Sequence, residues 1–244
     1  MQTWFRSHLA SAVAGGLVVA GTFLVLGVTG RRSTQPIIEQ GPLMTRQTAD
    51  RHALTAHMIY VRDAAGVVFV RASGARNRVS GSGFLADGRG DILTSYGLLA
   101  GASKATIEFA DDITRSATVV AKDPDDDIAV LRVDRDGVPP VAPLALGESS
   151  NVRVGDPVLA LGDPLGYNRT LTSGIVSALQ QQIAAPSGFS VANVIQTDAP
   201  VSPGSAGGPL LDGDGRVIGI TGFAGGISFA VPIDTAQGLL NQVR

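Results

Sequence analysis

Short apolar runs recur along the chain from residue 66 onward, and glycine, aspartate or proline separates them. Runs of this length with turn residues between them predict β-strands that pack as a barrel or a sandwich. The first set of predicted strands is 66–72, 83–85, 92–94, 105–109, 117–121 and 128–133, and the second set is 157–161, 170–179, 194–197, 209–212, 217–221 and 228–231. The pattern therefore predicts an all-β fold with two sets of about six strands.

Two short helices are predicted at the ends of this β-region. Leu54, Met58 and Val61 are spaced by four and three residues, which predicts a short amphipathic helix before the first strand. Residues 233–243 predict a closing helix, with Asp234 near its start as a candidate cap.

The N-terminal region contains one long uninterrupted apolar stretch instead of short separated runs. Residues 9–30 contain no charged side chain and consist of Leu, Val, Ala, Gly and Phe with a little Ser and Thr. About 20 such residues span a bilayer, so this stretch predicts one transmembrane helix after a short tail, 1–8. A cleaved signal peptide is the alternative, but its apolar region usually has about 7–15 residues, and VTG at 28–30 is a weak cleavage site. We favour an uncleaved anchor, followed by a linker and the short helix over 31–64.

Charge and composition narrow the possible partners. A formal net charge of −2 argues against a nucleic-acid partner, and the absence of cysteine removes disulfides, a thiol nucleophile and thiolate metal sites. His52 and His57 are five residues apart, off any shared helical face, so they are not predicted metal ligands. The acidic run 123–127 could bind calcium, but it lacks the glycine and the distant glutamate of a calcium loop. A turn before a strand explains this run more economically, and no cofactor or metal is implied.

Five stretches of sequence carry the candidate chemistry. They are GSGFLADGRGDILTSYGLLAGA at 81–102, DPDDDIAVLRV at 123–133, RVGDPVLALGDPLGYNRTLTSGIVSAL at 153–179, VIQTDAPVSPGSAGGPLLDGDGRVIGI at 194–220, and GISFAVPIDTAQGLL at 226–240. In order and spacing they resemble motifs of the HtrA/Deg group of trypsin-like serine proteases, over roughly residues 66–244. Several motifs in order are far more specific than one short match.

This resemblance implies a fold and a domain arrangement. The expected domain, 65–244, contains two six-stranded chymotrypsin-like β-barrels, at about 66–148 and 149–232, and the C-terminal helix 233–243. The sequence ends where relatives commonly continue into a PDZ domain, so no PDZ domain is expected.

The resemblance also assigns the positions of the catalytic triad. It puts Gly97 at the position of the catalytic histidine, Asp127 at the aspartate and Ala206 at the nucleophilic serine. A methyl group cannot attack a carbonyl, and acyl transfer needs a nucleophile, a base that takes its proton and a group that orients the base. Only the orienting group is retained, so we expect no competent catalytic residue.

Two alternatives would keep catalysis at this site. An engineered serine-to-alanine change would explain Ala206, but it would not explain Gly97. Ser205 could act as a displaced nucleophile, but it would still lack a base, because His8, His52 and His57 all precede the first barrel motif. A natural loss of catalysis explains the departures together.

The same loop could still bind a peptide. Gly204, Ser205 and Ala206 stand where the family forms its oxyanion hole, and the backbone amides of Gly204 and Ala206 would be its donors. The stretch Gly225, Gly226, Ile227, Ser228 and Phe229 is similar to the family's substrate-binding strand edge, where an extended peptide adds by main-chain hydrogen bonds. An ordinary closing strand of a barrel is the alternative for these five residues.

The predicted function combines these features. HtrA-like domains typically work outside the cytoplasmic membrane, which implies a single-pass protein with a cytoplasmic N-terminus and an extracytoplasmic domain. The basic residues on the two sides of 9–30 do not decide this orientation. We expect a pseudoprotease that binds a polypeptide or a membrane-protein partner, as a subunit or scaffold of a bacterial envelope complex, with no predicted oligomeric state. The alternatives are an HtrA-like serine endopeptidase, inactive or with residual activity, and a structural membrane subunit with a vestigial cleft.

Overall fold

Two closed antiparallel β-barrels form the β-region of the protein. A computed structural model describes residues 54–73, 78–99, 101–110, 113–164, 169–184 and 190–243. In chain order the elements are α1 Ala56–Asp63, β1 Val67–Ser73, β2 Arg78–Leu85, β3 Asp91–Ser95, β4 Lys104–Glu108, β5 Thr114–Asp123, β6 Ile128–Arg132, β7 Pro157–Gly162, β8 Thr170–Ala184, β9 Ser190–Thr197, β10 Pro209–Leu211, β11 Val217–Ala224, β12 Ile227–Pro232 and α2 Ile233–Gln242. The predicted two sets of six strands and the closing helix are confirmed.

The two barrels share one strand order. The first runs β1-β2-β3-β6-β5-β4 and the second runs β10-β11-β12-β9-β8-β7. Side chains alternate between the two faces of each strand, so every barrel strand sends one set of residues inward. In β4 this alternation is visible directly, because Ala105 and Ile107 are buried while Lys104 and Thr106 are exposed.

The buried apolar residues form three clusters, one inside each barrel and one between the two barrels. One fills the first barrel, with Val68, Val70 and Ile107 among its members, and another fills the second barrel. The third lies between the barrels and draws on both of them and on the two helices, with Phe84 and Phe229 fully buried in it. Because this cluster draws residues from both barrels, it holds them in a fixed mutual orientation.

Helix α1 forms where the sequence predicts a helix, but its buried face differs from the prediction. The Thr55 hydroxyl accepts a hydrogen bond from Met58 N at 3.2 Å and caps the helix. Ile59 is buried, whereas Met58 and Val61 are 52% and 67% exposed, so the predicted apolar face points to solvent. Ile59 packs in the cluster between the barrels, and the Arg62 guanidinium donates to the carbonyl of Gly215 in the second barrel at 2.9 Å, so two contacts hold the helix in this orientation.

Helix α2 buries Ile233, Ala236 and Leu240 against the cluster between the barrels. Asp234 does not cap it. The carboxylate of Asp234 instead accepts the backbone N–H groups of Ser149 and Ser150, both at 3.0 Å, and so ties the helix to the segment between the barrels.

The predicted membrane span 9–30 lies outside the described residues. Among the residues that the structure describes, no helix has the length and apolarity needed to cross a bilayer. The anchor therefore stays a prediction from the sequence.

Candidate active site

Position 97 lies at the end of β3, where the chain enters a 3₁₀ turn, Tyr96–Leu99. Gly97 is half-buried and offers only backbone there. Its N–H donates to Asp127 Oδ1 at 2.8 Å. The position where the resemblance expects a base is therefore occupied by an amide that already bonds the retained aspartate.

Asp127 is brought to this place by strand pairing and by its own backbone. It lies directly before β6, whose first residue, Ile128, is paired with Ser95 at the end of β3. Its φ of +53° is in the left-handed region, which an aspartate tolerates better than most residues. Its carboxylate points into the protein, and the residue is 3% exposed.

Both carboxylate oxygens of Asp127 are used inside the protein. Ser95 Oγ donates to Oδ2 at 2.6 Å, and the Gly97 amide occupies Oδ1. The neighbouring Thr94 hydroxyl does not contact Asp127, because it donates to the carbonyl of Ser82 at 2.7 Å. The aspartate is thus an accepting group with two local donors and no imidazole to orient.

The electrostatics of Asp127 follow from this burial. Desolvation raises the pKa of the Asp127 carboxyl, and the hydrogen bonds from Ser95 and Gly97 lower it only in part, so the pKa remains above its ordinary value. Serine and amide dipoles stabilise a buried charge less than an imidazolium would. Ionising this carboxyl therefore costs more free energy in the folded protein than in water.

Ala206 lies at the junction of the two barrels, near the turn that carries Gly97. Its carbonyl accepts the N–H of Ser82 at 2.8 Å. The next residue, Gly207, has φ +87°, and a Cβ added there would lie 2.2 Å from Ser82 O and 2.6 Å from Thr94 Oγ1. Only glycine fits this contact, which holds the loop against the first barrel.

Ser82 is a structural position beside the site that the sequence predictions missed. Its hydroxyl is fully buried, donates to the carbonyl of Gly204 at 2.9 Å and accepts the N–H of Asp163 at 2.8 Å. With its backbone bond to Ala206, Ser82 joins the first barrel to two segments of the second. Ser82 and Phe84 are two residues apart in β2, so their side chains point to the same face of the strand. Phe84 is buried between the barrels, and this alternation could have indicated that Ser82 faces the second barrel too.

In the loop 202–206, which contains the candidate oxyanion hole, a backbone amide bonds carbonyls of the same loop. Residues Pro203–Ser205 form a 3₁₀ turn, and the Ala206 N–H is directed at the carbonyls of Ser202 and Pro203, at 3.2 and 3.4 Å. A donor of an oxyanion hole must instead point at the substrate oxygen. Carbonyl binding by this amide stays a prediction and would require the turn to reorganise.

Ser205 has no base to activate it. Its hydroxyl lies 3.0 Å from the Ser202 hydroxyl, and Gly162 gives it room, since a Cβ at Gly162 would lie 2.8 Å from Ser205 Oγ. His57, on α1, is the single histidine among the described residues, and it is exposed. The geometry supplies Ser205 with another hydroxyl and no group that accepts its proton at neutral pH.

The candidate peptide-binding stretch divides into an exposed and a buried part. Gly225 and Gly226 form the turn between β11 and β12, with φ values of +58° and +82° and open space around them. Ile227 is 41% exposed, and the Ser228 hydroxyl accepts the N–H of Val201 at 3.1 Å. Phe229 is fully buried in the cluster between the barrels, so its side chain is a core residue. Of the five residues, Gly225, Gly226 and Ile227 are exposed and can meet a ligand, through backbone at the two glycines and through the side chain at Ile227.

The acidic run before β6 forms a turn. Asp123 Oδ1 accepts the N–H groups of Asp125 and Asp126 at 3.1 and 3.2 Å, which uses this oxygen within the turn. Burial and the neighbouring carboxylates raise the pKa of Asp126. Within the described part of the chain, no group of three His, Cys, Asp or Glu side chains is arranged to hold a metal ion.

Comparison with known proteins identifies the family. The profile described as Trypsin-like peptidase domain matches residues 81–220, which is more than half of the chain. This chain belongs to the trypsin-like peptidase domain family. The match contains the three triad positions, so this trypsin-like domain carries glycine, aspartate and alanine at the places assigned to histidine, aspartate and serine.

Similar proteins place the trypsin-like domain among HtrA/Deg proteases. It is 42% identical to Protease Do-like 1, chloroplastic, of Arabidopsis thaliana over 172 residues, which are 67% of this chain and 39% of that protein. The crystal structure of Deg5 has TM-score 0.64 and 36% identity, covering 74% of this chain and 89% of that one. The structure of the HtrA-type protease AlgW with tripeptide has TM-score 0.66 and 31% identity, covering 76% of this chain and 62% of that one. The chain spans about half or less of the length of the curated relatives it matches.

Proposed function

We propose that this trypsin-like domain is a pseudoprotease that binds an extended polypeptide and has lost acyl-transfer chemistry. The observation that carries the proposal is the environment of Asp127. The Ser95 hydroxyl and the Gly97 amide take its two oxygens at 2.6 and 2.8 Å, at the place where an imidazole would have to bind. With a methyl group at position 206, both reacting partners of the triad are missing.

The expected loss of turnover is large enough to support this proposal. In a triad whose members act as a unit, removing the serine or the histidine alone lowers turnover by about 10⁶, close to the effect of removing all three. Backbone donors can retain some rate enhancement, but the Ala206 N–H faces the carbonyls of its own loop. Hydrolysis by this chain is therefore expected at the background rate.

The proposed location follows from the N-terminal apolar stretch and from the family. We place the chain in a cell membrane by residues 9–30, with the trypsin-like domain on the extracytoplasmic side. The partner is a polypeptide or a membrane protein of the same envelope, and the domain acts as its binding subunit or scaffold.

Peptide binding is tested at the exposed end of β12. The full chain in neutral detergent is titrated with a library of unstructured fluorescent peptides, and the peptide that binds most tightly is compared between Ile227→Arg and Ile175→Arg. Both isoleucines are exposed in the second barrel, at 41% and 44%, so the two substitutions are matched. We expect loss of binding for Ile227→Arg alone; equal effects of the two variants, or no peptide bound at all, would contradict peptide recognition at this edge.

A serine endopeptidase is the second candidate function, because the relatives of this domain are named as proteases. If alanine at 206 were the sole defect, the single change Ala206→Ser would restore cleavage of unfolded casein. We expect Ala206→Ser to remain at the background rate because no base lies at position 97. Cleavage by this single variant would support the endopeptidase and contradict the pseudoprotease.

A further inference from the structure

A groove with a volume of about 540 Å³ lies on the first barrel, over the strands β2, β1, β4 and β5. We call it the barrel-1 groove. Its lining residues are Phe69, Arg71, Ala72, Val79, Ser80, Lys104, Ala105, Thr106 and Ser116. This volume is in the range of ligand-binding sites, and the groove shares no residue with the triad positions or with the candidate peptide-binding stretch.

Strand register places four polar side chains of the groove in one row. Arg71 of β1 is paired with Ser80 of β2 and with Thr106 of β4, and Thr106 is paired with Ser116 of β5. All four residues are exposed, on the outer face of the barrel. Neighbouring strands are about 4.8 Å apart, so the row runs about 14 Å across the sheet. The row presents three hydroxyl groups beside one guanidinium, all able to reach a single extended ligand.

Two cationic side chains, Arg71 and Lys104, line the groove, and no acidic residue is among its lining residues. Arg71 is held in place by stacking over the Phe69 ring, 5.1 Å from its centroid, and by an ion pair with Glu108. Its side chain nevertheless remains 56% exposed. Lys104 is exposed, and it makes no ion pair with another residue that the structure describes.

Three kinds of anionic ligand could bind such a groove: a nucleic acid, a lipid surface and a polysaccharide. Nucleic acids usually stack bases on exposed aromatic rings, but Phe69 is only 5% exposed and lies beneath Arg71. A lipid surface usually takes up large apolar side chains, and the large exposed hydrophobic residues that the structure describes all lie outside the groove. A row of hydroxyls with sparse cations instead matches sugar hydroxyls that carry intermittent acidic groups.

We propose that the barrel-1 groove binds an anionic polysaccharide. Arg71 and Lys104 contact its acidic groups, and the hydroxyls of Ser80, Thr106 and Ser116 exchange hydrogen bonds with its sugar hydroxyls. This site is independent of the fate of catalysis at positions 97 and 206. It gives the domain a second binding surface, for a carbohydrate polymer carrying carboxylate or phosphate groups.

The test uses the full chain in neutral detergent and oligogalacturonate as the probe, with a neutral dextran oligomer of similar length as the matched ligand. Binding is measured by calorimetry at low ionic strength. We expect oligogalacturonate to bind and dextran not to bind, and we expect added salt to weaken the complex. Arg71→Gln and Lys104→Gln should each weaken binding about three- to fivefold, as for exposed charge pairs.

Arg153→Gln is the matched control, because Arg153 is an exposed arginine outside the groove, shortly before β7, and the substitution changes the net charge equally. This variant should bind as the unsubstituted chain does. Equal weakening by Arg153→Gln would show a nonspecific charge effect and overturn the proposal, as would equal affinity for dextran or no binding of oligogalacturonate. Tighter, Arg71-dependent binding to vesicles of anionic lipid would assign the groove to a membrane surface and also overturn it.

Discussion

Replacing Ser82 with alanine is expected to destabilise the domain strongly, although the change removes a single oxygen atom. The Ser82 hydroxyl is fully buried and makes two hydrogen bonds, to Gly204 O at 2.9 Å and from Asp163 N at 2.8 Å. Alanine would leave a carbonyl and an N–H without this partner. Each buried polar group that loses its partner costs about 1–3 kcal/mol, so we expect a loss of about 3 kcal/mol after partial relaxation.

The assay is thermal and urea unfolding of the full chain, followed by far-ultraviolet circular dichroism. For a domain of this size, about 3 kcal/mol corresponds to a fall of about 6–12 °C in melting temperature. Ser80→Ala is the control, since Ser80 lies two residues away on the same strand and is exposed. The control should change stability by less than about 0.5 kcal/mol. Equal stability of the two variants would refute the role of Ser82 as a buried link between the barrels.

The same variant tests how Ser82 controls the loop that carries Ala206. Losing the bond to Gly204 O frees one side of the 3₁₀ turn 203–205, while the Ser82 backbone bond to Ala206 O remains. Hydrogen exchange measured by mass spectrometry should therefore show faster deuterium uptake over 202–208 in Ser82→Ala. Unchanged uptake there would mean that the backbone contacts alone hold the loop.

Two further predictions concern buried carboxylates. Burial makes the pKa of the Asp127 carboxyl higher in the folded protein than in the unfolded chain. The protonated carboxyl therefore contributes fully to the stability of the fold below the pKa of the unfolded chain, and this contribution is lost as pH rises through the pKa of the folded protein. Asp127→Asn should therefore raise the melting temperature at pH 7, with the gain vanishing below about pH 4; a constant difference between these pH values would contradict the shift. Asp91, fully buried, accepts from Arg132 at 2.6 and 2.9 Å, so Asp91→Asn should cost about 2–4 kcal/mol in urea unfolding. Glu108→Gln, at a more exposed pair with Arg71, should cost less than about 1 kcal/mol, and the reverse order would contradict the burial argument.

Much of the β-architecture could be predicted from the chain because turn residues bound nearly every strand. Strand ends differ from the predictions by several residues where pairing continues beyond the apolar core. β8 extends to Ala184 and β9 begins at Ser190, since the hairpin that they form continues pairing in a stretch that is largely exposed. Apolar runs locate the buried part of a strand, whereas hydrogen bonding determines its full length.

The side-chain roles were harder to predict because they depend on tertiary contacts. The apolar spacing of Met58 and Val61 predicts a helix, but the side of the helix that packs on the barrels is the one that carries Ile59. Phe229 lies in a stretch with a functional resemblance, yet its ring fills space that Gly222 leaves, since a Cβ there would lie 2.4 Å from the ring. Motifs gave the triad positions directly, whereas Ser82 needed its place between the barrels to be known.

A pseudoprotease, as we propose this trypsin-like domain to be, does not hydrolyse peptide bonds. The most direct measurement is the rate at which the purified full chain cleaves fluorescently labelled, unfolded casein, followed through successive purification steps. We predict a rate equal to that of buffer, because Gly97 and Ala206 supply neither base nor nucleophile. A rate that copurifies with the chain and falls in Ile227→Arg but not in Ile175→Arg would show that the domain is an active protease.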